Sequence, residues 1–304
     1  MNASKTSFRK ILGSYQLYLL VLPVVVYFVL FQYVPMYGVL IAFKDFSPTK
    51  GILGSPWVGF EHFQRFFDSY SFWTIIKNTL GLSVVSLVVG FPLPIILALL
   101  MNQLMVKRFK KFVQTVLYAP HFISIVVLVG MMFVFLSQNG VVNTMISSAG
   151  GERISFMSDP AWFKPLYILS GVWQETGFAC IIYLAALSGV NPETHEAAIV
   201  DGANKWQRIL NVDIPVLIPT AVILLILACG NIMNVGFEKA YLMQTPLNQP
   251  SAEIISTYVY KVGLQQAQYS FSAAVGLFNS VINLILLLFV NGIAKRLSGS
   301  GLWS

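Results

Sequence analysis

Charge is what this sequence has least of. Asp, Glu, Lys and Arg make up 10% of its 304 residues, against about 25% in a typical soluble domain. So few charges cannot solvate a closed surface, and a mean hydropathy of +0.72 says that lipid must cover much of the chain. Cysteine is almost absent. The two present, Cys180 and Cys229, fall in apolar stretches, where a free thiol behaves as a small hydrophobe. The three histidines, His62, His121 and His195, lie in separate segments without metal-ligand spacing. A Gly-x-x-x-x-Gly-Lys stretch is missing, which excludes nucleotide binding through a P-loop. No nucleophile–base set stands out, and no basic stripe interleaved with aromatics points to nucleic acid.

Long apolar runs are what the chain has instead. A helix crosses a hydrocarbon core of roughly 30 Å with about 20 mostly apolar residues. Six runs qualify: Tyr15–Tyr33, Thr79–Met101, Val113–Leu136, Leu166–Leu187, Val216–Val235 and Ser272–Val290. Lipid offers the backbone no hydrogen-bond partner, so each is expected to be a helix. Barrel strands would alternate apolar and polar residues over about 10 positions. The expected fold is an all-α integral membrane protein of six transmembrane helices, with residues 1–304 forming one domain. The first run follows Lys5, Arg9 and Lys10, as a secretory signal would. It contains Pro23, however, and no small-residue cleavage site follows, so it reads as an uncleaved span.

Lysine and arginine set the expected orientation. With the N-terminus inside, the inner segments hold Lys5, Arg9, Lys10, Lys107, Arg108, Lys110, Lys111, Lys205, Arg208, Lys295 and Arg296, eleven of the nineteen basic residues. Against them stand only Glu193, Glu196, Asp201 and Asp213. The net charge of +7 is thus carried by the inner face, and both termini are expected to be cytoplasmic.

Two long segments fall outside. Residues 36–73 start as loop, punctuated by Pro48, Gly51, Gly54 and Pro56. Phe60, Phe63, Phe66, Phe67 and Trp73 then recur at helical spacing, which suggests a short amphipathic helix at the interface, as an anchor or a platform for an extracytoplasmic partner. Residues 236–271 place Tyr241, Tyr258, Tyr260 and Tyr269 among Gln244, Asn248, Gln249, Gln265, Gln266 and Gln268. Aromatic faces beside amides suit sugars, and suit plain interfacial helices equally.

The inner loop 188–214 is the most ordered part of the sequence. Asn191-Pro192-Glu193 is a helix start, with Asn191 as cap and Pro192 at the first helical position. Glu193 and Glu196 sit near the positive end of the dipole. Gly202 can end the helix in a left-handed conformation. A second short helix over Ala203–Asn211 is expected, and Pro215 to start the fifth span. The result is a helix–turn–helix with small side chains, Ala197 and Ala198, that let another protein approach closely.

Glu196-Ala197-Ala198, Gly202 and the close Val212-Asp213-Ile214-Pro215 resemble the signature loop of ABC importer permeases. Valine and isoleucine stand where isoleucine and leucine are more usual. Trp57-Val58-Gly59-Phe60-Glu61-His62-Phe63, Trp73 and Asn78-Thr79-Leu80 resemble the outer segment and second span of sugar-type permeases, with His62 where asparagine is frequent. Thr257–Leu264, Tyr269-Ser270, Ala274–Phe278 and Gly301-Leu302-Trp303 look like a Gram-positive subgroup that imports complex oligosaccharides, pectin- and uronate-derived ones included. The resemblance implies a type I importer permease fold working by alternating access. It makes Glu196, Ala197, Ala198, Asp201, Gly202 and Pro215 the ATPase-coupling residues. The implied partners are a paralogous second permease, two ATPase subunits carrying ATP and Mg, and an extracytoplasmic sugar-binding lipoprotein. It implies no cofactor and no catalysis in this chain.

Polar residues inside the spans are candidates for the translocation path: Trp173, Gln174 and Glu175 in the fourth, Asn231 and Asn234 in the fifth, Asn279 and Asn283 in the sixth. A carboxylate in a span costs about 2.5–3.5 kcal/mol on insertion scales, so Glu175 is expected to face the bundle interior, pair, or be protonated. The asparagine pairs, three and four residues apart, each share a face and are expected to join helices. Pro92, Pro94 and Pro219 are expected to kink theirs. The alternative function is a stand-alone secondary transporter or channel. Such proteins often show repeated halves and several membrane carboxylates; this chain has one, and no evident repeat.

Overall fold

The computed structural model describes residues 15–298 and 301–302. Lys5, Arg9 and Lys10 of the expected inner N-terminal segment, and Trp303 of the terminal motif, lie outside the described residues. In chain order the main helices are α1 (Gln16–Phe43), α2 (Glu61–Phe67), α3 (Phe72–Asn102), α4 (Lys107–Phe122), α5 (Ile125–Phe135), α6 (Val141–Ser148), α7 (Pro160–Ser188), α8 (Pro192–Val200), α9 (Lys205–Gly230), α10 (Phe237–Met243), α11 (Ile255–Tyr260) and α12 (Tyr269–Ser298). No strand is present among the described residues beyond one isolated bridge, Lys44 to Trp57. Five helices, α1, α3, α7, α9 and α12, are long and apolar enough to cross a bilayer, and the pair α4–α5 makes a sixth if counted as one span.

The chain forms two compact units. The first comprises residues up to Phe67 together with Val262–Leu277. Here α1 runs ten residues beyond the expected end at Tyr33. Its last part is helical because a π turn over Val29–Tyr33 precedes Pro35: Val34 donates back to Val29 O, and the chain keeps coiling past the proline. Aromatic packing follows. Phe43 stacks on Trp57 (centroids 5.6 Å apart) and meets Phe60 and Phe63. The expected amphipathic helix is α2; Trp73 belongs to the next helix. Arg65 lies 4.5 Å from the ring centre of Phe271 and donates to Gln268 Oε1 at 2.6 Å, while Phe46 N donates to Ser270 Oγ at 2.9 Å.

The second unit holds Asp68–Lys261 and Phe278 onward. One apolar core joins Leu82 of α3, Leu128 and Met132 of α5, Phe163 and Ile168 of α7, and Ala240 and Met243 of α10. Another joins Ala98, Met101, Cys180, Tyr183, Leu187 and Leu217. Both cysteines are free thiols. Asn78 and Thr79 tie α3 to the 250–255 segment. Asn78 Nδ2 donates to Pro250 O (2.8 Å) and Glu253 O (3.2 Å), and Ile255 N donates to Thr79 Oγ1 (3.0 Å). Regular helix lapses in α3 only at Phe91, whose backbone stays helical, and Pro219 sits within an unbroken α9.

The third apolar run, Val113–Leu136, is not one straight span. The chain bends by 93° between α4 and α5. Pro120 supplies no N–H and lies in a 3-10 turn, and Ser124 then caps α5 by accepting from Val127 N. Gln174 closes the gap, its Nε2 donating to Ile123 O at 2.7 Å. The bend also brings α4 against α7 so closely that a Cβ at Gly177 would collide with the Leu117 carbonyl.

Candidate functional site: an exposed helical knob and a cavity in the bundle

The 188–214 loop folds as its residues require. Asn191 Oδ1 accepts from Glu193 N at 3.1 Å and Pro192 opens α8. At the other end Gly202 has φ +79°, in the left-handed region. Ala203 N donates to Ala198 O (2.9 Å) and Gly202 N to Ile199 O (3.0 Å), a Schellman closure. The second arm differs from the expected Ala203–Asn211 helix. It starts at Lys205, after a reciprocal capping box between Asn204 and Gln207, and does not stop before the fifth span. A π turn over Ile209–Asp213 carries it through Pro215, so that the second arm and the fifth span together make up α9.

Glu196, Ala197, Asp201, Gly202 and Pro215 are exposed, and Ala198 half-buried. Two large apolar side chains that motif reading passed over stand out: Val200 is 86% and Trp206 71% exposed. They give a polar, capped knob an apolar tip. Its base is pinned by Asp213, which is fully buried. Asp213 accepts from Gln103 Nε2 at 3.2 Å and pairs with His195 Nε2 of α8 at 3.3 Å. Burial pushes the Asp213 carboxyl above its ordinary range, and the neighbouring His195 and Arg208 pull it part of the way back.

Within the bundle, a cavity of about 380 Å³ is walled by α3, α7 and α10, with Gln174, Glu175, Thr176, Tyr167, Ser86 and Lys239 on its lining. A second, of about 280 Å³, shares Ser86, Tyr167 and Gly236 with it and reaches Asn231 and Asn234. Four of the seven candidate path residues therefore border one pair of adjoining cavities. Trp173 lines an apolar groove with Leu97, Leu100 and Leu117, which meets the first cavity at Val172 and Thr176. Asn279 and Asn283 border neither cavity and tie α12 to the loop after α9, which ends at Gly230, so Asn231 and Asn234 lie just beyond the fifth span rather than within it. Asn279 Nδ2 donates to Asn234 Oδ1 (2.8 Å), and Met233 N donates to Asn283 Oδ1 (3.0 Å). Glu175 is paired: its Oε2 lies 3.0 Å from Nδ1 of His121, whose ring stacks on Phe178 with centroids 3.9 Å apart. His121 and Lys239 were not singled out by sequence. His121 sits beside the bend-forming Pro120, and Lys239 shares a helical face with Met243.

The described residues thus form a polytopic helical bundle with cavities between its helices and an exposed, capped knob, and no group of three His, Cys, Asp or Glu among them could hold a metal. Residues 90–299 match the family of binding-protein-dependent transport system inner membrane components. The chain belongs to that family, and is thus a permease subunit, multi-pass in a bacterial inner membrane. It is 45% identical to the polygalacturonan/rhamnogalacturonan transport system permease protein YteP of Bacillus subtilis (strain 168), covering 97% of this chain and 92% of that one. It also resembles a chain of a crystallised bacterial ABC transporter involved in import of the acidic polysaccharide alginate. The identity is 44% and the TM-score 0.89, covering 96% and 99% of the two chains. A chain of a bacterial alginate ABC transporter in complex with an alginate pentasaccharide-bound periplasmic protein matches at 43% identity and TM-score 0.90, covering 97% and 99%.

Proposed function

We propose that this chain is the translocation subunit of an ATP-driven importer of oligosaccharides, acidic pectin- or uronate-derived chains among them. The observation that carries the coupling role is the α8 knob, with its glycine-closed turn and the exposed Val200 and Trp206. In this reading both termini and the knob are cytoplasmic, as the basic bias favours, and the knob seats in an ATPase subunit. Two such subunits bind ATP and Mg; a paralogous permease completes the path, and an extracytoplasmic binding lipoprotein delivers the sugar. The names of the relatives support an acidic substrate. The cavities, mostly apolar, place hydroxyls and amides at a few points, Ser86, Gln174 and Asn231 among them, where sugar hydroxyls can bond.

Reconstitution tests the reading. Uptake of oligogalacturonide into liposomes is expected only when the chain is combined with its ATPase, second permease and binding protein. Transport by the chain alone, without ATP, would establish the secondary-transporter alternative instead.

A further inference from the structure

We infer that Lys239 is the group in the cavity that recognises a carboxylate of the passing sugar and so sets preference for acidic over neutral oligosaccharides. The inference rests on the oligosaccharide reading above. Lys239 is 6% exposed, yet it borders the 380 Å³ cavity. Its ammonium is held in place rather than neutralised: Nζ donates to Tyr167 O at 2.9 Å and sits 4.7 Å from the centre of the Tyr167 ring. Among the described residues no carboxylate comes within 4.0 Å of it. An ammonium has three donors. The carbonyl takes one and the ring faces another, which leaves the third for the cavity.

A buried cation without a carboxylate is costly unless an anion visits it. The cavity wall leaves room for one. Gly171 lines it, and a Cβ there would come within 3.2 Å of Nζ. The carboxylate of Glu175, on the same wall, is already engaged by His121. Ser86 also lines the cavity, its Oγ buried without a hydrogen-bond partner. Burial lowers the Lys239 ammonium to about 8, Glu175 opposing the shift, so most of it remains charged at neutral pH.

The test compares uptake of labelled trigalacturonate and its methyl ester by cells carrying the intact importer. Lys239→Met is expected to lower acid uptake about tenfold, the scale of one charge-assisted hydrogen bond, with ester uptake unchanged within about twofold. Lys239→Arg should keep most acid uptake. Acid and ester uptake falling in parallel, or neither falling, overturns the inference. Should Lys239→Met not assemble, Gly171→Ala, which crowds the ammonium without removing it, is read by the same acid-to-ester ratio, and an unchanged ratio overturns it. A wild-type importer that takes up neither probe overturns the pectin-derived part of the reading on which the inference rests.

Discussion

Gly202 offers the cleanest perturbation of the knob. Its φ of +79° lies where L-residues other than glycine pay about 1–2 kcal/mol, asparagine least and β-branched residues most. A Cβ at this position would meet nothing within 4 Å, so the cost is wholly one of backbone conformation. The bonds at stake run from Asp201, Gly202 and Ala203 to Ala197, Ile199 and Ala198. They lie in an exposed loop, where water can replace them, so a substituted turn should rearrange locally and leave the spans inserted. A strain of about 1.4 kcal/mol shifts the closed turn against alternatives about tenfold. The assay is substrate-stimulated ATP hydrolysis by the assembled transporter, with protease protection reporting insertion. Stimulation should fall in the order Gly202→Asn, Gly202→Ala, Gly202→Val, the valine variant losing about tenfold or more. A valine variant that inserts, assembles and is stimulated like wild type would refute the coupling role; so would an asparagine variant worse than valine.

Three further outcomes are expected. Glu175→Gln should reduce uptake more than assembly, because the carboxylate, more than half exposed, borders a cavity and pairs with His121; normal uptake per assembled complex with poor assembly would make the residue structural. Gly177→Ala drives a methyl into the Leu117 backbone carbonyl and should lower the melting temperature in detergent markedly; an unchanged value would mean that α4 and α7 do not pack this way. Acid-sugar uptake should fall as pH rises from 7 to 9, because the Lys239 ammonium, held at about 8 by burial, is lost across that window. Lys239→Arg should flatten the profile, since arginine stays charged throughout and every other group facing the cavity, Glu175 and Tyr167 included, is unchanged.

Local signals were legible because local chemistry dictates them. Asn191, Pro192 and Gly202 each sit where a cap, a first turn and a left-handed closure need those residue types. The spacing of Asn279 and Asn283 points to a shared face, and both bond the loop after α9, at Asn234 and Met233, rather than a neighbouring helix. Where reading failed, apolar composition hid the geometry. Val113–Leu136 looks like one span because hydropathy sums over the run, yet Pro120 and Ser124 inside it are a stop and a start four residues apart. Gln174 read as a path residue; although it borders the cavity, its amide is spent on the carbonyl freed by that bend. Lys239 was masked by its segment, where tyrosines and amides drew attention. Gln244 and Asn248 turn out to bond the loop's own backbone, while the lysine goes inward with Met243.

Pro215 carries the largest mechanical consequence. A proline within a helix removes one N–H and crowds the carbonyl four residues back, so a break before the fifth span was the natural expectation. The π turn Ile209–Asp213 instead absorbs the misfit two residues ahead of the proline, as Val29–Tyr33 does ahead of Pro35. The knob's second arm and the fifth span are therefore one continuous helix. Asp213 sits in that π turn and grips α8 through His195 and the end of α3 through Gln103. A push on α8 thus reaches two spans directly. Asp213→Ala should cut this link while leaving both helices formed. The expected phenotype is ATP hydrolysis that continues while sugar uptake per ATP falls several-fold, measured on the reconstituted complex. Should uptake per ATP stay at the wild-type value, the load must pass through the Gly202 turn alone.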